Sequence, residues 1–219
     1  MHISEGVLSA PVLAGGAAFA VAATAAGLKK LTSDRIPQAG VLSAAFFVAS
    51  LVHVPIGPSS MHLILNGIVG LLLGWAAFPV IAVALVLQAV LFQFGGITSL
   101  GVNTLIMAAP AVLCYYLFTP FIRRGHAAAM AGAFACGALA VFFSALIAAA
   151  ALVFTGEAFM EVSMALVGAH VVVMIIEGII TMFCVAFLRK VDPSLLPGFI
   201  VRRRGKQAGA MPESIKNDQ

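Results

Sequence analysis

Residues 60–94 read SMHLILNGIVGLLLGWAAFPVIAVALVLQAVLFQF. They contain no Asp, Glu, Lys or Arg, and the uncharged stretch continues outward to Ile36 on one side and Ile122 on the other. Soluble domains carry about 25% charged residues, whereas this chain of 219 residues is 62% hydrophobic and 9% charged. Apolar sequence on this scale belongs in lipid, and lipid admits only helix bundles and closed barrels. Barrel strands would alternate apolar and polar residues. Here the apolar runs are continuous and rich in Ala, Leu, Val and Gly, so the expected fold is all-α, a polytopic membrane helix bundle.

Breakers and charges divide the chain into seven candidate transmembrane helices, near residues 9–28, 37–54, 60–75, 78–94, 101–121, 127–154 and 159–188. The third is short, so it is expected to be tilted, kinked or partly re-entrant. The basic residues then fix direction. Lys29, Lys30 and Arg35 fall between spans one and two, Arg123 and Arg124 between five and six, and the remaining seven of the twelve follow span seven. With seven spans every basic residue lies on one side, which the positive-inside rule makes cytoplasmic. The N-terminus is therefore expected outside and the C-terminus inside, in a multi-pass protein of the cell's inner (plasma) membrane. Residues 1–196 form the seven-helix transmembrane metal-binding domain of this reading. Residues 197–219 form a basic cytoplasmic tail, expected to be disordered, with Arg202–Arg204 near anionic lipid. The outer side carries Glu5, Glu157 and Glu161, an acidic rim that would concentrate cations; the plain alternative is that topology simply excludes Lys and Arg there. The pI of about 9.3 is a topological signature and no sign of nucleic acid.

The chain opens MHISEGVL. A terminal amine, the amide nitrogen between Met1 and His2, and the His2 imidazole can close two fused chelate rings on one metal ion. The amine, with a pKa of about 8, yields its proton once a metal competes. Ionising the amide requires a metal that prefers planar nitrogen ligands, such as Ni(II), Cu(II) or Co(II). His62 stands at the outer start of span three, so it can supply a fourth nitrogen. The alternatives are a histidine at position 2 without a role and a boundary histidine bonded to a loop carbonyl. In span seven His170 and Glu177 are seven residues apart and share a helix face. An intramembrane carboxylate points to function by default, and with Asn66 these residues are candidates for orienting the ligands by hydrogen bonds, or else for locking helix packing. Gln88, Gln93 and Asn103 read as interhelical hydrogen bonds, and His53 as a loop residue that an entering ion could meet. His126 is given no role. Cys114, Cys136 and Cys184 read as buried free thiols. Ala14, Ala18, Ala22 and Ala26 form a small-residue stripe that permits close helix approach, by default within the protein's own bundle. No GxxxxGK[ST], HExxH or GxSxG occurs, so neither ATP hydrolysis nor a recognisable hydrolase is encoded.

The sequence resembles the CbiM/NikM family, the substrate-binding membrane subunits of energy-coupling-factor importers for cobalt and nickel. The resemblance runs to about Leu196 and rests on MHIxEG, PSSMHLILNGIVGLLLG, QAVLFQFGGITSLGVNTLIMA and GAHxxxxxxEGIIT. It implies a seven-span fold with an external N-terminus, and a Co(II) or Ni(II) cargo held by the Met1 amine, the His2 amide and imidazole nitrogens, and His62. It implies no tightly bound organic cofactor and no enzyme activity of the chain's own. Its implied partners are a transmembrane coupling subunit, a pair of cytoplasmic ATPases and, in many systems, a small two-span accessory protein. Ser4 departs from the family, where Met, Pro or Asp is common. Two rivals stand beside this reading. One is a subunit of the same importer type for an organic vitamin, which would need a roomy aromatic pocket, although Trp75, Tyr115 and Tyr116 lie toward the cytoplasmic ends. The other is a structural membrane protein without ligand.

Overall fold

The computed structural model describes residues 2–56 and 59–197, with the stretch 53–61 described by its backbone pairing alone. Among the described residues are seven α-helices: α1 (Ala10–Leu28), α2 (Ile36–Ala49), α3 (Asn66–Leu73), α4 (Ala77–Phe92), α5 (Leu100–Ile122), α6 (His126–Thr155) and α7 (Met160–Val191). Their boundaries follow the breakers. Pro11 and Pro37 sit in the first turns of α1 and α2, where their missing N–H groups cost nothing. Gly125 separates α5 from α6 and Gly156 follows α6. Five helical stretches are long and apolar enough to cross a bilayer, with Asn66–Phe92 counted as one of them. By themselves α2 and α3 have only 14 and 8 residues, short of the roughly 20 that a full crossing needs. Seven full-length spans are therefore not what the helix lengths give.

The chain is helical as expected, apart from one short feature just before α3. Residues 53–56 and 59–62 (β1 and β2) form an antiparallel hairpin in which His53 pairs with His62. The expected third helix begins at residue 60, yet α3 starts only at Asn66, because Leu65 adopts a left-handed backbone at φ 56°. The N–H groups of Ile64 and Leu65 turn instead to the Glu177 carboxylate in the middle of α7. At the other end of α3, Arg35 donates to the Leu72 carbonyl at 2.6 Å. A carboxylate thus meets the N-terminus of this short helix and a guanidinium its C-terminus, each matching the local sign of the helix dipole.

All eight residues of α3 are buried, as expected for a helix apolar on every face. It packs backbone to backbone on its neighbours. A methyl at Gly67 would come within 2.7 Å of the Gly137 Cα on α6, and one at Gly70 within 2.7 Å of the Ala111 Cα on α5. From the Glu177 level α3 runs to the end of the bundle that carries Arg35, and α4 returns from there. Gly27 on α1 abuts Trp75 and Pro79 at that basic end, where Trp75 also donates to the Tyr116 hydroxyl at 3.0 Å. Arg189 closes the same end by donating to the carbonyls of Ile122 and Arg124. The outward faces stay apolar, with Val172, Ile175, Phe183 and Phe187 exposed along α7, as lipid requires. Ala14, Ala18, Ala22 and Ala26 are exposed as well, while Gly16, Ala20, Ala23 and Gly27 make the buried face of α1. The alanine stripe therefore does not pack into the protein's own bundle, contrary to the default reading. Cys114 and Cys136 are buried, Cys184 is half-buried, and all three are free. The tail residues 198–219 lie outside the described residues.

Candidate metal-capture site

The chain's first residues enter the bundle at the end opposite Arg35 and Arg189. Ile3 is fully buried and His2 is 4% exposed. An extended segment buried among helices must pair its backbone groups, and Asn103 on α5 provides the pairing. Its Oδ1 accepts the Ile3 N–H at 2.9 Å and its Nδ2 donates to the Ile3 carbonyl at 3.1 Å. Ser99 fixes the amide by accepting from Nδ2 at 3.1 Å while donating to the Gly95 carbonyl. The Gly95–Gly96 turn makes room for the segment. Both glycines have positive φ, 79° and 98°, and a Cβ on Gly95 would meet the Asn103 amide at 2.6 Å. Only glycine combines that backbone with that space. Farther along, the Thr98 N–H reaches the Glu5 carboxylate at 3.3 Å, and the Ser9 N–H reaches the Thr155 hydroxyl at 3.2 Å.

The segment carries His2 onto His62. The two rings stack with centroids 4.6 Å apart and 29° between planes, and Phe94 lies beside His2 at 6.0 Å. His62 is 3% exposed. Its Nδ1 donates to the Leu63 carbonyl at 2.7 Å, and its Nε2 is buried without a hydrogen-bond partner among the described residues. Burial pushes the imidazole well below its ordinary pKa, and the charge His2 can carry acts in the same direction. His62 therefore presents a neutral nitrogen, the form that binds metals. On its far side His2 Nε2 contacts the Gln88 Oε1 at 2.7 Å. Met1, the third expected ligand residue, lies outside the described residues, as does the side chain of His53.

Among the described residues no group of three or more His, Cys, Asp or Glu side chains converges, so a cage built from side chains alone is absent from them. What converges is a pair of imidazoles next to the chain's own backbone. The three supporting candidates occupy different places. Glu177 makes no hydrogen bond to an imidazole among the described residues; it accepts from the backbone N–H groups of Ile64 and Leu65, two and three residues beyond His62. Asn66 donates to the Met107 carbonyl at 3.0 Å and to the Ser144 hydroxyl at 2.9 Å, tying α3 to α5 and α6. His170 is fully buried, and its Nδ1 donates to the Leu166 carbonyl within α7 at 2.7 Å. Gln88 and Asn103, read from sequence only as interhelical links, are the residues that grip the N-terminal segment. The available signal was their polarity within QAVLFQFGGITSLGVN, since each is fully or almost fully buried in an apolar helix.

A family profile described as the cobalt-uptake substrate-specific transmembrane region matches residues 2–195. A putative metal transport protein of Haemophilus influenzae is 41% identical over 206 residues, covering 90% of this chain and 97% of its own length. A cobalt transport protein of Sorangium cellulosum is 29% identical, covering 90% of this chain and 94% of its own. The crystal structure of a transition metal transporter superposes with a TM-score of 0.78 at 28% identity, covering 88% of this chain and 94% of that one.

Proposed function

This chain belongs to the CbiM cobalt-uptake family, and from that premise we propose that it is the substrate-capturing subunit of an energy-coupling-factor importer for cobalt or nickel. At the coarser level it is a membrane protein of cobalt and nickel transport. The finer reading rests on one observation above all: His2 and His62 meet in a buried site at the end of the bundle remote from the basic residues. In this reading that end faces outward, all seven helices take part in the membrane domain, and the protein lies in the cell's inner membrane. The Met1 amine, the His2 amide and imidazole nitrogens and His62 close a planar set around the ion, releasing protons. Direct contact of the two imidazole rings suits a bare ion better than an organic vitamin. Glu177, Asn66 and His170 hold the surrounding backbone and helices.

Transport then needs partners, because this chain carries no nucleotide motif. A coupling subunit in the membrane and a pair of cytoplasmic ATPases would supply the energy, with a two-span accessory protein beside them in some systems. The outward alanine stripe Ala14, Ala18, Ala22, Ala26 on α1 supports such a partner, since small residues let a second helix approach closely in lipid. The decisive experiment measures metal content and binding stoichiometry on protein with a native, untagged N-terminus, beside His2→Ala and His62→Ala. A single Ni(II) or Co(II) site lost in both variants upholds the reading. No bound metal in the wild type, or equal binding in all three, removes it and brings the vitamin or structural alternatives forward.

A further inference from the structure

Imidazole has two nitrogens, and only one of them can serve a chelate that includes the residue's own backbone. A ring through the His2 amide nitrogen, Cα, Cβ, Cγ and Nδ1 closes on a metal ion; Nε2 points away and cannot close it. Capture by His2 therefore depends on where its hydrogen resides. In most proteins that question is open at the level of heavy atoms. Here a chain of buried groups answers it.

The chain starts at the Phe47 carbonyl, which can only accept. The Ser50 hydroxyl lies 2.7 Å from it and donates its single hydrogen there. Ser50 is then an acceptor toward Gln88, whose Nε2 donates to it at 2.7 Å. That bond fixes which way the Gln88 amide is turned. A turned amide would set its oxygen against a hydroxyl oxygen with no hydrogen left between them. The Gln88 Oε1 consequently faces His2 Nε2 at 2.7 Å, and an amide oxygen only accepts, so His2 Nε2 must be the donor. Ser50 and Gln88 are both fully buried, so water does not compete. His62 is held in the opposite sense. Its Nδ1 donates to the Leu63 carbonyl, which leaves Nε2 as its bare nitrogen.

We propose that Gln88, oriented by Ser50, is a positioning residue that keeps the His2 hydrogen on Nε2 and so reserves Nδ1 for the cargo metal. Its consequence for affinity rests on the metal-capture reading above; its statement about His2 does not. Hydrogen bonding to the remote nitrogen both aims the ring and makes Nδ1 a better donor, and losing such a partner typically costs about 10–100-fold in metal affinity. The ends of α2 and α4 thereby set how tightly the first residues of the chain hold an ion.

The test uses full-length protein with a native N-terminus and nitrogen-15 labelled histidine. Long-range proton–nitrogen spectra of the metal-free protein are recorded and His2 is assigned against His2→Gln. The expected spectrum shows a pyrrole-like Nε2 and a pyridine-like Nδ1; a hydrogen on Nδ1 overturns the proposal whether or not metal binds. Ni(II) titration then compares Gln88→Met, which keeps the volume but loses the acceptor, with Gln88→Glu, which keeps an acceptor. The first is expected to bind about 10–100-fold more weakly and the second within a few-fold of wild type. Equal affinity in wild type and Gln88→Met overturns the proposal. Ser50→Ala touches neither His2 nor the ion, yet it frees the Gln88 amide to turn, so an intermediate loss and a mixed His2 spectrum are expected. Should Gln88→Met fail to fold, Ser50→Ala takes its place, and wild-type affinity with an unmixed His2 spectrum in that variant overturns the proposal. Failure of wild type to bind Ni(II) counts against the metal reading, while the His2 spectrum still decides the placement of the hydrogen.

Discussion

Replacing Glu177 with alanine removes the acceptor for two buried backbone N–H groups, those of Ile64 and Leu65. Glu177 and Ile64 are both fully buried, so water cannot substitute freely. Each orphaned donor costs about 1–3 kcal/mol, which puts the loss at roughly 2–6 kcal/mol before any cavity is counted. Part of that loss is borne by the hairpin end that carries His62. Because 1.4 kcal/mol is about tenfold in an equilibrium constant, passing on even a quarter of it would weaken metal binding about two- to tenfold. Glu177→Gln is the informative companion. Its single oxygen can still accept both N–H groups, as Oε1 does now, but without charge. Bonds to charged groups contribute about 1.5–3 kcal/mol and neutral ones about 0.5–1.5 kcal/mol, so Gln should lose roughly 2–3 kcal/mol over the two bonds. The assay is denaturant unfolding in detergent followed by circular dichroism, with metal titration on the same samples. The expected order of stability is Glu, then Gln, then Ala. An Ala variant within about 0.5 kcal/mol of wild type, a difference typical of a surface site, would refute the claim that this carboxylate anchors the start of α3.

Other consequences are equally direct. Gly70→Ala drives a methyl into the Ala111 backbone and should destabilise by about 1–3 kcal/mol, readable as a lowered unfolding midpoint; an unchanged midpoint would mean α3 and α5 can separate without cost. Asn103→Ala releases both backbone groups of Ile3 and should reduce Ni(II) affinity about tenfold or more, since two buried bonds at about 1 kcal/mol each are lost; isothermal titration shows it. Inserting one residue between Met1 and His2 breaks the fused chelate pattern, so normal binding by that variant would end the N-terminal ligand model. Acidification should weaken binding as protons reclaim the ligands. The α-amine, with its pKa of about 8, competes first. His62, lowered by burial, stays neutral to more acidic pH and adds its loss last, so titrations from pH 8 downward should show affinity falling before His62 protonates.

The helices were legible because an uncharged apolar run has few ways to exist, and breakers such as Pro11, Pro37 and Gly125 mark its ends within a few residues of the observed ones. The start of α3 was not. It depends on Glu177, far along the chain, and on a left-handed Leu65, which no local preference announces. His2 and His62 were legible because their chemistry is distinctive and the basic residues alone place both at one end of the bundle. Gln88 and Asn103 looked like ordinary polar residues in apolar helices. Their partners are the side chain of His2 and the backbone of Ile3, and backbone leaves no pattern in sequence. The stripe of Ala14, Ala18, Ala22 and Ala26 identified a face made for close approach, but spacing alone carries no information about which way that face turns.

The clasp around the first residues also dictates an order of assembly. His2, Ile3 and Ser9 leave the ribosome long before their partners Gln88, Asn103 and Thr155. His2 and Ile3 have nowhere to dock until α4 and α5 have been synthesised and inserted, and Ser9 cannot dock until α6 is complete. The loops that join these partners are long, and closing them comes late for entropic reasons. The end that carries His2 and His62 is thus completed only after these distant helices are in place, and on the metal-capture reading a nascent chain stalled before α5 would be unable to hold cargo.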